Sequence, residues 1–313
     1  MKQRAAPVAA LVVLTSLFSG AASVGQEAIF TRSATQPAAG VLGLRQLFRY
    51  QSYAGDIDEF GARTILSYGL TGNAALEVQL PYFYTDMPGA EPVAVESPLT
   101  GTPAPAAPPY GHAHGRNGVP APASPNASKS PSRHQISGLG DILILGKTRL
   151  WQRHDSAVDT LRLGAFAGAA ISAGPDDFTG AGFDPTFGLV GMQVAGRVGW
   201  NFAAQYYLTT SGSDMPLHPG ASNADLMTFD FAYLWRLAPE EYSAENMNAW
   251  YFTMEANSAY ETNGDRELLL APGLLFEGTD LALEIGVQLP VARTVRYRPA
   301  RDFGIALGFR LLF

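Results

Sequence analysis

Histidine is the residue type that most often carries chemistry, and the chain holds five: His112, His114, His134, His154 and His218. The pair His112–Ala113–His114, with His134 in reach, has the donor type for a divalent metal. Two imidazoles at this spacing in a flexible segment bear a large ordering cost and have no carboxylate partner nearby. The alternative is a solvated loop that happens to contain histidine, and His112 and His114 remain weak metal candidates. All five are expected in loops or turns. A hydrolytic site would need nucleophile, base and orienting group fixed on neighbouring strands, so catalysis is not expected. No residue pattern calls for a cofactor.

The second chemically capable set is ionic. Arg45, Arg49, Arg63, Lys147, Arg149, Arg162, Arg236 and Arg310 share an alternating register with Glu77, Asp141, Asp230, Glu255 and Glu284. If their segments are strands, these charges share one face, and apolar residues fill the other. In Phe303–Phe313, for example, Phe303, Ile305, Leu307, Phe309 and Leu311 alternate with Gly304, Gly308 and Arg310.

Twelve such segments follow one another, near 42–52, 58–70, 74–84, 138–151, 160–173, 185–195, 199–209, 225–237, 250–260, 267–277, 280–290 and 302–313. Many run to ten residues or more, the length of a tilted bilayer crossing. Aromatics such as Tyr50, Tyr68, Tyr82, Tyr84, Trp151, Trp200, Trp250 and Tyr251 stand at their ends, as interfacial girdles require. An even number of strands and alternately short and long connections fit an all-β, transmembrane, antiparallel up-and-down β-barrel of about 12 strands. A secreted two-sheet protein with its apolar faces turned inward would alternate in the same way and is the competing fold.

Composition limits the classes further. The 313 residues include 33 Gly, 22 Pro and no Cys, which removes disulfide scaffolds, thiolate metal sites and a lipoprotein anchor. The net charge of −7 argues against a nucleic-acid partner. Lys2 and Arg4, the apolar run Ala5–Phe18 and the small residues after it form an expected signal peptide over 1–25, cleaved near Gly25; a membrane anchor is the alternative. Residues 26–41 are then expected as a short periplasmic segment, and 42–313 as the barrel. The stretch 85–136 contains eleven of the prolines and is expected as a long Pro/Ala-rich extracellular loop. A lid or plug folding into the pore is its functional alternative.

Gly138–Leu139–Gly140–Asp141, Thr179–Gly180–Ala181–Gly182–Phe183–Asp184, Pro272–Gly273 and Gly286–Val287–Gln288–Leu289–Pro290 form an ordered series. With Leu66–Ser67–Tyr68–Gly69–Leu70–Thr71 before Leu80–Pro81, it resembles the outer-membrane transporter family named for the meta-pathway of phenol degradation. The resemblance runs from about Leu44 to Phe313. It implies an outer-membrane location and uptake of aromatic or other hydrophobic compounds, and it transfers no binding residues. Phe313 also resembles the C-terminal signal read by the outer-membrane assembly machinery; it is equally the last residue of a lipid-facing strand.

The partners expected are therefore outer-membrane lipids, that assembly machinery and a small-molecule solute. Two readings of the inward charges stay open. They either cancel in a network that stiffens a nearly closed, non-conducting barrel displaying its surface loop, or they line the constriction of a passive channel. Arg49, Arg63 and Arg149 are the residues expected to matter most for conductance.

Overall fold

The computed structural model describes residues 26–88, 133–156, 159–180, 182–242 and 248–312. These contain thirteen strands and no helix. They are β1 (Leu42–Tyr53), β2 (Ile57–Gly69), β3 (Ala74–Pro88), β4 (Arg133–Leu139), β5 (Ile142–His154), β6 (Thr160–Ile171) and β7 (Phe183–Ala195). There follow β8 (Val198–Tyr207), β9 (Leu226–Ala238), β10 (Ala249–Glu261), β11 (Arg266–Glu277), β12 (Leu281–Thr294) and β13 (Arg301–Leu312). The expected signal peptide, the cleavage site near Gly25, His112, His114 and Phe313 lie outside the described residues, as does most of the 85–136 loop.

Every strand pairing is antiparallel, all but two between sequence neighbours; β5 pairs with β3 across β4, and the ring closes through β13 on β1 and β2 on β3. The single strand expected at 138–151 is two strands. β4 and β5 both pair with β3 and are interrupted at Gly140–Asp141, where the Gly140 N–H still donates to the Pro81 carbonyl. Together they make one stave, so the barrel has twelve. Closure leaves no open edge along the wall, which is what lets a sheet sit in hydrocarbon.

The alternation resolves into an outside and an inside. Phe48, Phe60, Phe187, Phe202, Phe231, Leu283, Ile285 and Leu307 are exposed on the outer wall. A continuous apolar belt of this kind is incompatible with a soluble monomer and matches a lipid-facing surface. The secreted two-sheet alternative is thereby set aside.

All four tryptophans, Trp151, Trp200, Trp235 and Trp250, stand near the same rim. Trp200 packs on Tyr233 with ring centroids 4.7 Å apart, and Trp250 on Phe276 at 5.0 Å. These rings form a girdle at one membrane face. Tyr251, expected among them, instead faces inward, fully buried, and shares a hydrogen bond with Tyr242.

The tryptophan rim carries the connections 70–73, 155–159, 196–197, 239–248 and 278–280. The opposite end carries 172–182, 208–225, 262–265 and 295–300, with the short hairpin at 54–56, and there β3 ends at Pro88 and β4 begins at Arg133. Outer-membrane barrels as a class carry their longer loops outside; on that convention the tryptophan rim is the periplasmic one.

Candidate functional site: a divided lumen

All thirteen ionic residues singled out by register turn inward or are buried. Arg45, Arg49, Arg63, Lys147, Arg149 and Arg162 stand on β1, β2, β5 and β6, with Arg310 on the adjoining β13. Asp230, Glu255 and Glu284 stand on β9, β10 and β12, joined there by buried Glu261, Glu267 and Glu277. The lumen therefore has a basic wall facing an acidic one. Glu59 on β2, Glu77 on β3, Asp141 beside it and Arg236 on β9 are exceptions.

What lies between the walls corrects an expectation. Residues 26–38, expected in the periplasm, form an arch inside the barrel. Gln26 enters beside Asn201, whose side-chain amide donates to its carbonyl at 3.1 Å. The Glu255 carboxylate accepts three successive backbone N–H groups, from Ile29 at 2.7 Å, Phe30 at 3.1 Å and Thr31 at 2.6 Å. Arg32 crosses to Glu77 at 2.6 Å, and Lys147 reaches both Glu77 and the Thr35 carbonyl. The chain returns to the periplasmic rim, where the Gly40 N–H donates to the Gly69 carbonyl at 2.8 Å.

The physical reason is satisfaction of polar groups. A backbone without regular structure brings unpaired donors and acceptors into a low-dielectric space, and each must find a partner. Glu255 takes three donors. Arg310 donates to the carbonyls of Glu27 and Ala28, and Arg45 to those of Ala28 and Ile29. The same two arginines share Glu284, at 2.8 Å and 2.5 Å. Several charges that read as a wall-to-wall network thus fasten an inserted segment.

Room for the arch comes from glycine. Gly273 and Gly286 lie opposite each other on β11 and β12. A Cβ at 273 would meet the Ile29 side chain, and one at 286 would come within 2.7 Å of the Phe30 ring. At the rim, a Cβ on Gly69 would collide with the Ala38 carbonyl.

The arch divides the lumen. The periplasmic chamber holds about 480 Å³ and the extracellular one about 400 Å³. Phe30, Arg32, Arg49, Arg63 and Gln79 line both, so they frame the junction. Arg149 and Arg162 line only the periplasmic chamber, and Asp141 and Asp230 only the extracellular one. Arg236 belongs to neither: it lies against the Tyr242 ring at 4.2 Å and donates to the Glu240 carbonyl.

A second inserted segment caps the extracellular chamber. In the 208–225 loop Leu217 is buried, and His218 contacts Glu59 at 3.1 Å and the Tyr53 hydroxyl at 3.2 Å. His218 is thus a loop residue, as expected. His134 and His154 are corrections, because they lie on β4 and at the end of β5. No group of three metal-donor side chains occurs among the described residues.

The sequence pattern of one family, described as "Putative MetA-pathway of phenol degradation", matches residues 61–307, most of the chain. The chain belongs to that family. Its members' name agrees with the resemblance read from the glycine-rich segments. No curated protein sequence matches the chain. Among solved structures it is similar to an outer membrane channel from Pseudomonas putida F1, with 14% identity over 89% of this chain and 97% of that one, at a TM-score of 0.47. It is also similar to the beta domain of the Bordetella autotransporter BrkA, with 13% identity over 88% of this chain and 100% of that one, at 0.45. A third is CdiB from Escherichia coli, with 8% identity over 89% of this chain and 64% of that one, at 0.40.

Proposed function

We propose that this family member is a non-enzymatic outer-membrane channel, passing small molecules by diffusion along the basic wall and past the arch. The observation that carries the reading is the pair of chambers meeting at Phe30, Arg32, Arg49, Arg63 and Gln79. A structural barrel has no need of two cavities that share a frame. Rings of arginine and lysine at a narrow point select by charge and size, and opposed charged walls orient a dipolar solute as it crosses. The family's description favours small aromatic compounds as the cargo.

The test is single-channel recording in planar bilayers. The purified protein is expected to conduct in small, discrete steps and to favour anions under a salt gradient. Neutralising Arg49, Arg63 and Arg149 together should move the reversal potential toward cation preference. Deleting residues 26–38 should raise the step size severalfold. A barrel that is folded, inserted and silent, with the arch or without it, would establish the structural-barrel reading instead.

A further inference from the structure

The periplasmic chamber is unbalanced in charge. Eight lysine and arginine side chains line it against three carboxylates. Arg32 and Lys147 pair with Glu77, and Arg45 and Arg310 with Glu284. Arg49, Arg63, Arg149 and Arg162 are left with no carboxylate within ion-pair distance among the described residues.

Arg49, Arg63 and Arg149 are half-buried, with Arg149 donating to the Gly72 carbonyl and the Gln152 side chain, and Arg162 is buried. Arg162 is only 9% exposed, and its Nε has no protein partner. The Nε atoms of Arg49 and Arg149 are likewise buried without one. Buried polar groups nearly always find partners, and an enclosed guanidinium without counter-charge is strongly unfavourable. Four arginines without a carboxylate partner around one cavity leave it with uncompensated positive charge.

Their placement bears on which anion would balance it. Arg49 and Arg63 stand on paired strands, two residues apart in register, at the junction of the chambers. Arg149 and Arg162 stand on another strand pair nearer the periplasmic rim. Beside the first pair lies an apolar surface of Ile29, Phe30 and Leu47, with the Arg49 guanidinium 5.8 Å from the centre of the Phe30 ring. The guanidinium fork matches a carboxylate bidentately, and an aromatic face matches a ring. An inorganic anion would leave that apolar surface unused.

We infer that the periplasmic chamber is a binding site for small aromatic carboxylates. The carboxylate sits on Arg49 and Arg63 with its ring against Phe30, and Arg149 with Arg162 forms a second foothold toward the exit. The inference rests on the channel reading for the direction of travel; the binding itself does not.

The test is calorimetric titration of the detergent-purified full chain with sodium benzoate, and with benzyl alcohol as the uncharged counterpart. Benzoate should bind saturably and benzyl alcohol at least tenfold more weakly. The R49Q/R63Q variant should bind benzoate at least tenfold more weakly than the parent. R153Q, at an exposed site paired with Asp155, should match the parent. Should R49Q/R63Q fail the heat-modifiability test for a folded barrel, R49K/R63K replaces it, because lysine keeps the charge and loses the bidentate fork. Benzoate that does not bind, binds no better than benzyl alcohol, or binds all variants alike overturns the proposal. Conductance without benzoate binding removes this site and leaves the channel; benzoate binding without conductance removes the channel and leaves the site.

Discussion

The Glu255 Oε2 atom accepts the Thr31 backbone N–H at 2.6 Å, joining the midpoint of β10 to a segment 224 residues earlier in the chain. The same carboxylate holds Ile29 and Phe30, so one side chain fixes the top of the arch. Hydrogen bonds to a charged acceptor contribute about 1.5–3 kcal/mol each. Glu255→Gln turns an amide N–H₂ toward some of these donors. The barrel should stay folded by heat-modifiability on gels, while single-channel steps become larger and noisier. Unchanged recordings would mean that Glu255 is not what retains the arch.

Gly286→Val tests the same segment by crowding. The added carbons fall on the Phe30 ring, 2.7 Å away at the first atom, and overpacking of this kind costs about 1–3 kcal/mol. Expulsion of the arch exposes Arg32, a trypsin site, which is 18% exposed in the parent. Trypsin should cut after Arg32 much faster in the variant, as read by N-terminal sequencing of the barrel fragment.

Arg298, in the 295–300 connection, is held between Glu261 at 3.0 Å and Glu267 at 3.5 Å, all three nearly inaccessible. Removing one partner of a buried pair costs about 3–5 kcal/mol, because the charge left behind has no water. Arg298→Ala should lower the temperature at which the barrel loses its compact gel mobility. Arg153→Ala, at an exposed pair, should leave it unchanged.

Asp159 lies in the turn between β5 and β6. The Gly196 N–H, donating at 2.6 Å, and then the Ser156 hydroxyl lower its pKa below the usual carboxylate value. A depressed folded pKa stabilises the fold above the unfolded value, and that stabilisation is lost as pH falls through the folded one. Asp159→Asn should therefore reduce thermal stability at neutral pH, and the gap from the parent should close on acidification. Equal stability of the two at neutral pH would count against the turn's contribution.

The wall was legible because its signal is local. Period-two alternation in stretches such as Leu281–Leu289 needs no knowledge of distant residues, and eleven of the twelve staves begin or end within two residues of expectation. The β4–β5 break was not legible, because Gly140–Asp141 keeps alternation while losing its ladder. The inward direction of Arg49 and Glu255 followed from register alone. Their roles did not, since the arch that Glu255 holds is short, irregular and without period. The available trace was indirect: two inward glycines, Gly273 and Gly286, on neighbouring strands, leaving a volume that the barrel's own side chains do not fill. The segregation of bases and acids was also within reach, because inward bases cluster from Arg45 to Arg162 and inward acids from Asp230 to Glu284.

Gln26 and Gly40 both stand at the periplasmic rim, so the arch enters and leaves the lumen on the same side. From Gln26 to Gly40 it reaches in and comes back, with both ends on one side of the barrel. It can therefore be drawn out from below without parting a single rung of the surrounding ladder, and returned in the same way. Opening this barrel would be a transaction with the periplasm alone, leaving the wall sealed against lipid throughout.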